Sequence, residues 1–379
     1  MQWMAEESGW LLPDDSTLPA DVPHEILGQI GAAASQTASC VLVGSRAGDA
    51  RASGSAMQLC AAISAAGGET VFVPECTAGE LGLLSRELHS DLLLYCGANI
   101  RMTARGLLPM TAAAKRILCA PQQIPVQRPQ DYGRLRTMPA PASAYTAYLR
   151  GKMPPQPVQP IAVTAGDARQ GSLLEHAVSP AAGGRALHIQ LSADGARASL
   201  YAPQTGWIFW EQLLLMDTQQ RLMRGEDVAL PFWLPHSAER MAAQAGCRIL
   251  RYHADSEGGD SEARALAVSQ GFTLDAAVLT ADILRFQADG MADLRKWAAE
   301  IPPAYTVRRL LHTEQAVDAA SRSALMTCAA QTPDGLCCRD SRGDVLLHPA
   351  GGGRLSVLIE AVSMEAAAEL YRDVLPPPL

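Results

Sequence analysis

The sequence predicts an α/β protein in which helices cover both faces of mainly parallel sheets. Three observations carry this. Short apolar runs, CVLVG, ETVFVP and DLLLYCG, are separated by amphipathic stretches, one of which ends on Gly67-Gly68. That alternation is how βα units read, and both faces of their sheet must be buried. The pattern recurs from Ala186. It changes in DGLCCRDSRGDVLLHPAGGGRLSVLIEAVSMEAAAELYRDV, which reads as strand, turn, strand, glycine-rich loop, strand and closing helix. The last segment is therefore expected to be an antiparallel α+β module.

The elements follow in order. Ile26 to Ser45 is uncharged but rich in Gly, Ser, Gln and Thr, so it reads as a helix and a strand rather than a membrane span. SAMQLCAAISAAGG is a helix stopped by its glycine pair, and TAGELGLLSRELHS is a helix with Leu81, Leu84 and Leu88 on one face. From Ala120 to Pro160 prolines interrupt the pattern, leaving one short helix near Ala142 to Leu149. IAVTAGDARQGSLLEHAVS reads as strand, loop and helix. Two strands then flank an Asp194-Gly195 turn, Trp207 to Met223 reads as helix, and DVALPFWL as strand. HSAERMAAQAG is a helix stopped by Gly246, CRILRYH is a strand, and helices run on to Glu300. Four segments result: an α/β/α domain over 1–119, a proline-rich linker with a truncated second domain over 120–185, a further α/β/α domain over 186–300, and an α+β domain over 301–379.

Composition narrows the function. A chain of 379 residues exceeds one ordinary core, and 48% hydrophobic content marks it as globular. The net charge of −8 supplies no basic field for nucleic acid. Nine dispersed cysteines without a CxxC pair suit a reduced compartment and leave zinc ribbons unsupported. Cys337 and Cys338 are adjacent, and on a strand they point to opposite faces. The opening MQWMAEESGWLLPDD lacks the positive-then-apolar pattern of a secretory leader, so a cytoplasmic protein without a membrane partner is expected. No HExxH, Walker A, GxGxxG or GxSxG pattern occurs.

Three stretches in order, CVLVGSRAGDARASGSAMQLCAAISAAGGETVFVP, IQLSADGARASLYAPQTGWIFWEQLLL and GDVLLHPAGGGRLSVLIEAVSMEAAAELY, resemble the α-D-phosphohexomutases, the phosphoglucomutase/phosphomannomutase family. The resemblance runs from about Cys40 to the end. It implies α/β/α sandwich domains and a smaller C-terminal domain around a cleft. The family chemistry moves a phosphoryl group between the C1 and C6 oxygens of a hexose. It uses a phosphoserine, Mg²⁺ on three Asp carboxylates, a sugar-reading loop and a phosphate-gripping loop.

Each part is altered here. At the nucleophile loop, typically TASHNP, strand DLLLYC runs into Gly97-Ala98-Asn99, and Asn99 stands where the serine is expected. An amide cannot carry the group as a hydroxyl does. Thr103 is the nearest alternative, and a solvated loop is the plain one. The metal loop, typically DGDGDR, is Ser192 to Arg197, where Asp194 is the only surviving carboxylate and Arg197 a candidate anion contact. Asp194-Gly195 equally suits an ordinary hairpin turn. Arg46 and Arg51 lie in a small-residue loop able to accept a phosphate. No Gly-Glu-x-Ser-Gly-His pattern appears, although His253, Asp255 and Glu257 cluster after a strand. The phosphate loop, typically RPSGTEP, is His348 to Arg354, so Gly351, Gly352, Gly353, Arg354 and His348 are the candidate phosphate contacts. A plain glycine turn is the alternative.

The expectation is a phosphohexomutase-fold protein of phosphosugar metabolism without catalytic residues, a pseudoenzyme acting as a binding or regulatory protein. It takes a phosphosugar, a small anion or a protein partner, with Mg²⁺ required only if it is active. The alternatives are an active intramolecular phosphotransferase of the isomerase class and a structural module without ligand.

Overall fold

A computed structural model describes residues 17–19, 22–119, 127–178, 186–253, 258–290, 293–301, 305–311, 329–332, 335–339, 341–349 and 355–374. The first sheet holds β1 (Thr17–Pro19), β2 (Cys40–Ser45), β3 (Glu69–Val73), β4 (Leu92–Cys96), β5 (Asn99–Ala104) and β6 (Leu135–Thr137) in the order β1-β5-β4-β2-β3-β6. β2 pairs in parallel with both β3 and β4. The chain therefore leaves β2 to one side and returns to the other, which puts a topological switch point between β2 and β4.

Burial on both faces explains the continuous apolar runs. Val41, Val43, Leu92 and Leu94 pack under α1 (His24–Thr37) and α2 (Ala50–Ala65), while Leu42, Val71 and Leu93 face α3 (Ala78–Glu87). Leu88, expected on the buried face of α3, is 41% exposed, because the helix stops at Glu87 and Leu88 is its C-cap.

The second sheet holds β7 (Ile161–Ala165), β8 (Leu187–Leu191), β9 (Ala198–Ala202) and β10 (Gly206–Ile208). β7 and β8 are parallel, joined through α6 (Ala168–Ala177), so the division expected at residue 185 falls inside one sheet. A parallel pair needs such a crossover, and strand, loop and helix together supply it. The helix expected from Trp207 starts at Trp210 instead. Residues 206–208 turn back on β9 as an edge strand, with Gly206 at φ +79° allowing the reversal.

The proline-rich stretch contributes a core helix. In α5 (Ala142–Lys152), Tyr145 and Leu149 are fully buried, and the Tyr145 hydroxyl donates to Asp275 Oδ2 at 2.6 Å. Asp275 caps α10 (Ala276–Ala288). Gly79 of α3 lies against this bond, and a Cβ there would run into the Tyr145 hydroxyl.

The third unit follows from Val228. Its sheet is the parallel pair β11 (Val228–Pro231) and β12 (Ile249–Tyr252), flanked by α8 (Ser237–Ala245) and α9 (Ser261–Gln270). Gly246 ends α8 in the left-handed region, as its sequence predicts. The final sheet, in the order β13-β17-β16-β15-β14, is antiparallel throughout. It comprises β13 (Tyr305–Leu311), β14 (Ala329–Thr332), β15 (Gly335–Arg339), β16 (Gly343–Pro349) and β17 (Leu355–Ala361), and the helix Met364–Val374 packs on it. Cys338 joins that core and Cys337 a separate cluster with Phe232, as adjacent strand residues must.

α7 (Trp210–Met223) and α10 share a buried ion group. Arg221 donates to Asp217 Oδ1 and Asp282 Oδ2, with Lys152 3.9 Å from Asp282. Burial pushes Asp217 up to about 7, and the neighbouring Asp282 is raised by burial as well. Between about pH 4 and about pH 7 the folded state therefore keeps a proton that the unfolded chain has released, so stability falls as pH rises through that window. Urea unfolding across that range is expected to show the decline, and Asp217→Asn to flatten it.

Candidate functional site

The C-terminal ends of β2 and β4 meet at the switch point, where open α/β sheets place their ligands. The Arg46 main-chain N–H donates to the Cys96 carbonyl at 2.8 Å, bridging the two strand ends. From there β4 turns straight back through Gly97-Ala98 into β5, with Cys96 opposite Ile100. The site expected to hold a nucleophile loop is thus a tight hairpin turn, in which the Gly97 N–H donates to the Asn99 carbonyl at 3.0 Å. Asn99 is the first residue of β5, exposed and paired with Pro19 of β1, and not part of a solvated loop. Thr103 is 4% exposed within β5, opposite Leu93, and so sits inside the sheet rather than at its rim.

Facing this edge is the β8–β9 turn. The Ser192 hydroxyl donates to Asp194 Oδ1 at 2.6 Å, and the Ala196 N–H donates to the same oxygen at 3.1 Å. The Arg197 N–H returns to Ser192 Oγ at 2.9 Å. Gly195 takes φ +71°, packs against the Gln170 side chain and accepts the Ala276 N–H at 3.0 Å. A side chain at Gly195 would meet both a steric and a backbone penalty. Burial works against the charge of Asp194. The Ser192 hydroxyl, the Ala196 N–H and the guanidiniums of Arg101 and Arg197 outweigh it, so the carboxyl lies below its ordinary range.

These residues do not fit a resident Mg²⁺. One carboxylate is present in the turn, one of its oxygens is engaged by two donors, and two guanidiniums act on it. The surroundings suit an anion instead. Arg101 projects from β5 on the same face as its cross-strand partner Tyr95, and its Nη1 is buried without a hydrogen-bond partner among the described residues. The Arg197 guanidinium lies over the Trp210 ring, 5.0 Å from its centre.

Other expected contacts are placed differently. Arg46 does not face open solvent: its Nη2 donates to the Gly166 carbonyl at 2.6 Å, and its Nε lies 3.5 Å from Asp167 Oδ2. Arg51 is exposed in the first turn of α2. His253 stacks on Phe232 at 6.1 Å, and its N–H donates to Asp260, while Asp255 and Glu257 lie outside the described residues. Gly351, Gly352, Gly353 and Arg354 also lie outside them. His348 occupies β16 opposite Ser356.

Sequence reading missed the pair that shapes the cleft. Glu80 is fully buried and completes the capping box of α3, accepting the Thr77 N–H at 2.8 Å. Arg169 of α6 grips the same carboxylate with both prongs, Nε to Oε2 at 2.8 Å and Nη2 to Oε1 at 2.7 Å. α3 and α6 are thereby tied together. The Thr77–Glu80 spacing is a visible capping signal, but nothing local announces a partner 89 residues on. Arg101 was legible in principle, since Ile100 and Met102 alternate with it as buried residues of β5.

No family model matches the sequence, and no curated protein matches it. Solved structures do. The chain aligns with a phosphoglucomutase/phosphomannomutase family protein from Burkholderia thailandensis at TM-score 0.66 and 14% identity, covering 96% of each chain. It aligns with a candidate phosphomannomutase from Thermus thermophilus at TM-score 0.65 and 13% identity, covering 98% of each. The chain has the phosphohexomutase fold. An Aspergillus fumigatus N-acetylphosphoglucosamine mutase, solved with GlcNAc-6P and magnesium, aligns at TM-score 0.50 and 9% identity over 98% of this chain and 96% of that one. Against the phosphohexomutase fold, the expected family resemblance and the α/β architecture both hold. No helix among the described residues is long and apolar enough to cross a membrane.

Arg169→Met strands a buried carboxylate and should destabilise the protein by about 3 kcal/mol, the low end for a broken buried pair because the arginine is partly solvated. Denaturant unfolding measures this, and Glu80→Gln with Arg169→Met together should lose less than the sum of the two single changes.

Proposed function

We propose that this chain binds the phosphate group of a sugar phosphate in the crevice between the β2–β4 switch point and the β8–β9 turn, and transfers no phosphoryl group. The observation that carries the reading is the Gly97-Ala98 hairpin. Neither Gly97 nor Ala98 carries a hydroxyl, and Thr103 is held inside the sheet. In-line transfer needs an oxygen nucleophile placed against the phosphorus. Asn99 offers an amide, and the single carboxylate Asp194 is engaged within its own turn.

Binding is supported by charge. The Nη1 of Arg101, without a partner among the described residues, is a buried donor of the kind that recognises phosphate oxygens, and Arg197 adds a second guanidinium near Asp194. The carboxylate of Asp194 sets a limit: the ligand approaches from the arginine side, with its hydroxyls toward Asp194. A role as a binding or regulatory protein of phosphosugar metabolism follows, with Mg²⁺ playing no resident part.

Two measurements check this. In a coupled assay with glucose or mannose 1-phosphate, a hexose bisphosphate activator and Mg²⁺, no turnover above background is expected. Turnover lost on Thr103→Ala or Asp194→Asn would reverse the reading. In thermal melts, hexose 6-phosphates should raise the Tm while the neutral hexoses do not. Arg101→Ala should weaken binding by about tenfold or more, the worth of one charge-assisted hydrogen bond.

A further inference from the structure

Away from the cleft, three metal-ligating side chains converge where the third unit meets the C-terminal sheet. His236 precedes the first residue of α8, and Asp344 and Glu360 project from β16 and β17. One ligand atom from each lies within 4.8 Å of the others. Asp344 and Glu360 are direct cross-strand partners, so two carboxylates stand side by side on one face of the sheet. Like charges placed opposite each other destabilise a sheet unless a cation lies between them.

The protein groups around this corner answer the charge only in part. Glu360 Oε2 accepts the His236 main-chain N–H at 2.6 Å, and the Ser237 N–H also faces that carboxylate, so Glu360 caps α8 from another domain. Arg339 Nε is 3.4 Å from Asp344 Oδ1, but that arginine is 58% exposed, and Arg240 acts on Asp344 at longer range. The His236 ring is not used by the cap. Its Nδ1 stands 3.7 Å from Glu360 Oε2, beyond hydrogen-bond reach. Ser237, in the same turn, is 1% exposed, and its Oγ has no partner among the described residues.

We propose that His236, Asp344 and Glu360 bind a divalent transition metal, zinc first, that clips the C-terminal module to the third unit. One imidazole and two carboxylates suit zinc and its neighbours, whereas magnesium and calcium prefer oxygen-only ligands. Bonds of about 2.1 Å set adjacent donors roughly 3–3.5 Å apart, so closing from the present spacing takes small rotamer changes. Arg339 is exposed enough to swing away. The remaining coordination positions fall to water. The site is independent of the cleft residues, and the proposal stands whether or not a phosphosugar binds there.

The full-length protein, His236→Ala and Asp344→Asn are titrated with Zn²⁺ by calorimetry, and with Co²⁺ by absorption, which reveals thiolate ligands through their charge-transfer band. His236→Ala keeps the main-chain N–H that Glu360 accepts, so it retains the cap, and metal-free melts check that each variant folds. One site is expected in the wild type, weakened about a hundredfold or more in both variants, with no thiolate band and a Tm that rises with zinc only in the wild type. No zinc site, equal affinity in either folded variant, or a thiolate band would overturn the proposal.

Discussion

Glu80 serves two structures at once. Its carboxylate closes the first turn of α3 by accepting the Thr77 N–H, and it receives both prongs of Arg169 from α6. A fully buried carboxylate is tolerable only when its oxygens are satisfied, and here the partners come from two units. The neighbouring contacts follow from that grip. Asp167 caps α6 with one oxygen and lies beside Arg46 with the other, while Arg46 reaches across to the Gly166 carbonyl. These bonds tie α3 and the β2 end to α6 and the residues before it. The Tyr145–Asp275 bond adds a second anchor, holding α5 and the start of α10 against the glycine of α3.

That scaffold carries the phosphohexomutase fold and sets the β8–β9 turn beside the ends of β2 and β4. The ends of β2 and β4 meet at the switch point, and the β8–β9 turn lies close enough for Arg101 of β5 to act on Asp194. The turn has become self-sufficient: its one carboxylate is held by the Ser192 hydroxyl and the Ala196 N–H, and its backbone is fixed by Gly195. The opposing hairpin is tight, with Gly97 and Ala98 between β4 and β5. What remains at the surface is positive charge, from Arg101 and Arg197, beside one carboxylate of depressed pKa. This is a setting for recognising an anion.

Much of the fold was legible in the sequence because periodicity and glycine stops are local signals. CVLVG, ETVFVP and DLLLYC became β2, β3 and β4, Gly246 ended α8, and the C-terminal alternation became an antiparallel sheet. The errors were of pairing and extent. The short helix expected near Ala142 to Leu149 is α5, and what proline density hid was its depth, since Tyr145 and Leu149 are core residues. The pairing of β7 with β8 across residue 185 was not legible, because the parallel partner lies beyond a crossover that local sequence does not announce. At the site, Asn99 and the single carboxylate of the Ser192–Arg197 turn could be read directly from the sequence. The Glu80–Arg169 pair and the buried Nη1 of Arg101 could not, since each acquires its meaning only from the surroundings brought in by the fold.

The central claim is that no side chain of this protein takes up a phosphoryl group. Incubation with a hexose 1,6-bisphosphate and Mg²⁺, followed by intact-mass measurement, tests it without depending on substrate turnover. The account predicts a mass identical to that of the untreated protein. A gain of one phosphoryl group, mapped to a single residue at the cleft, would contradict it.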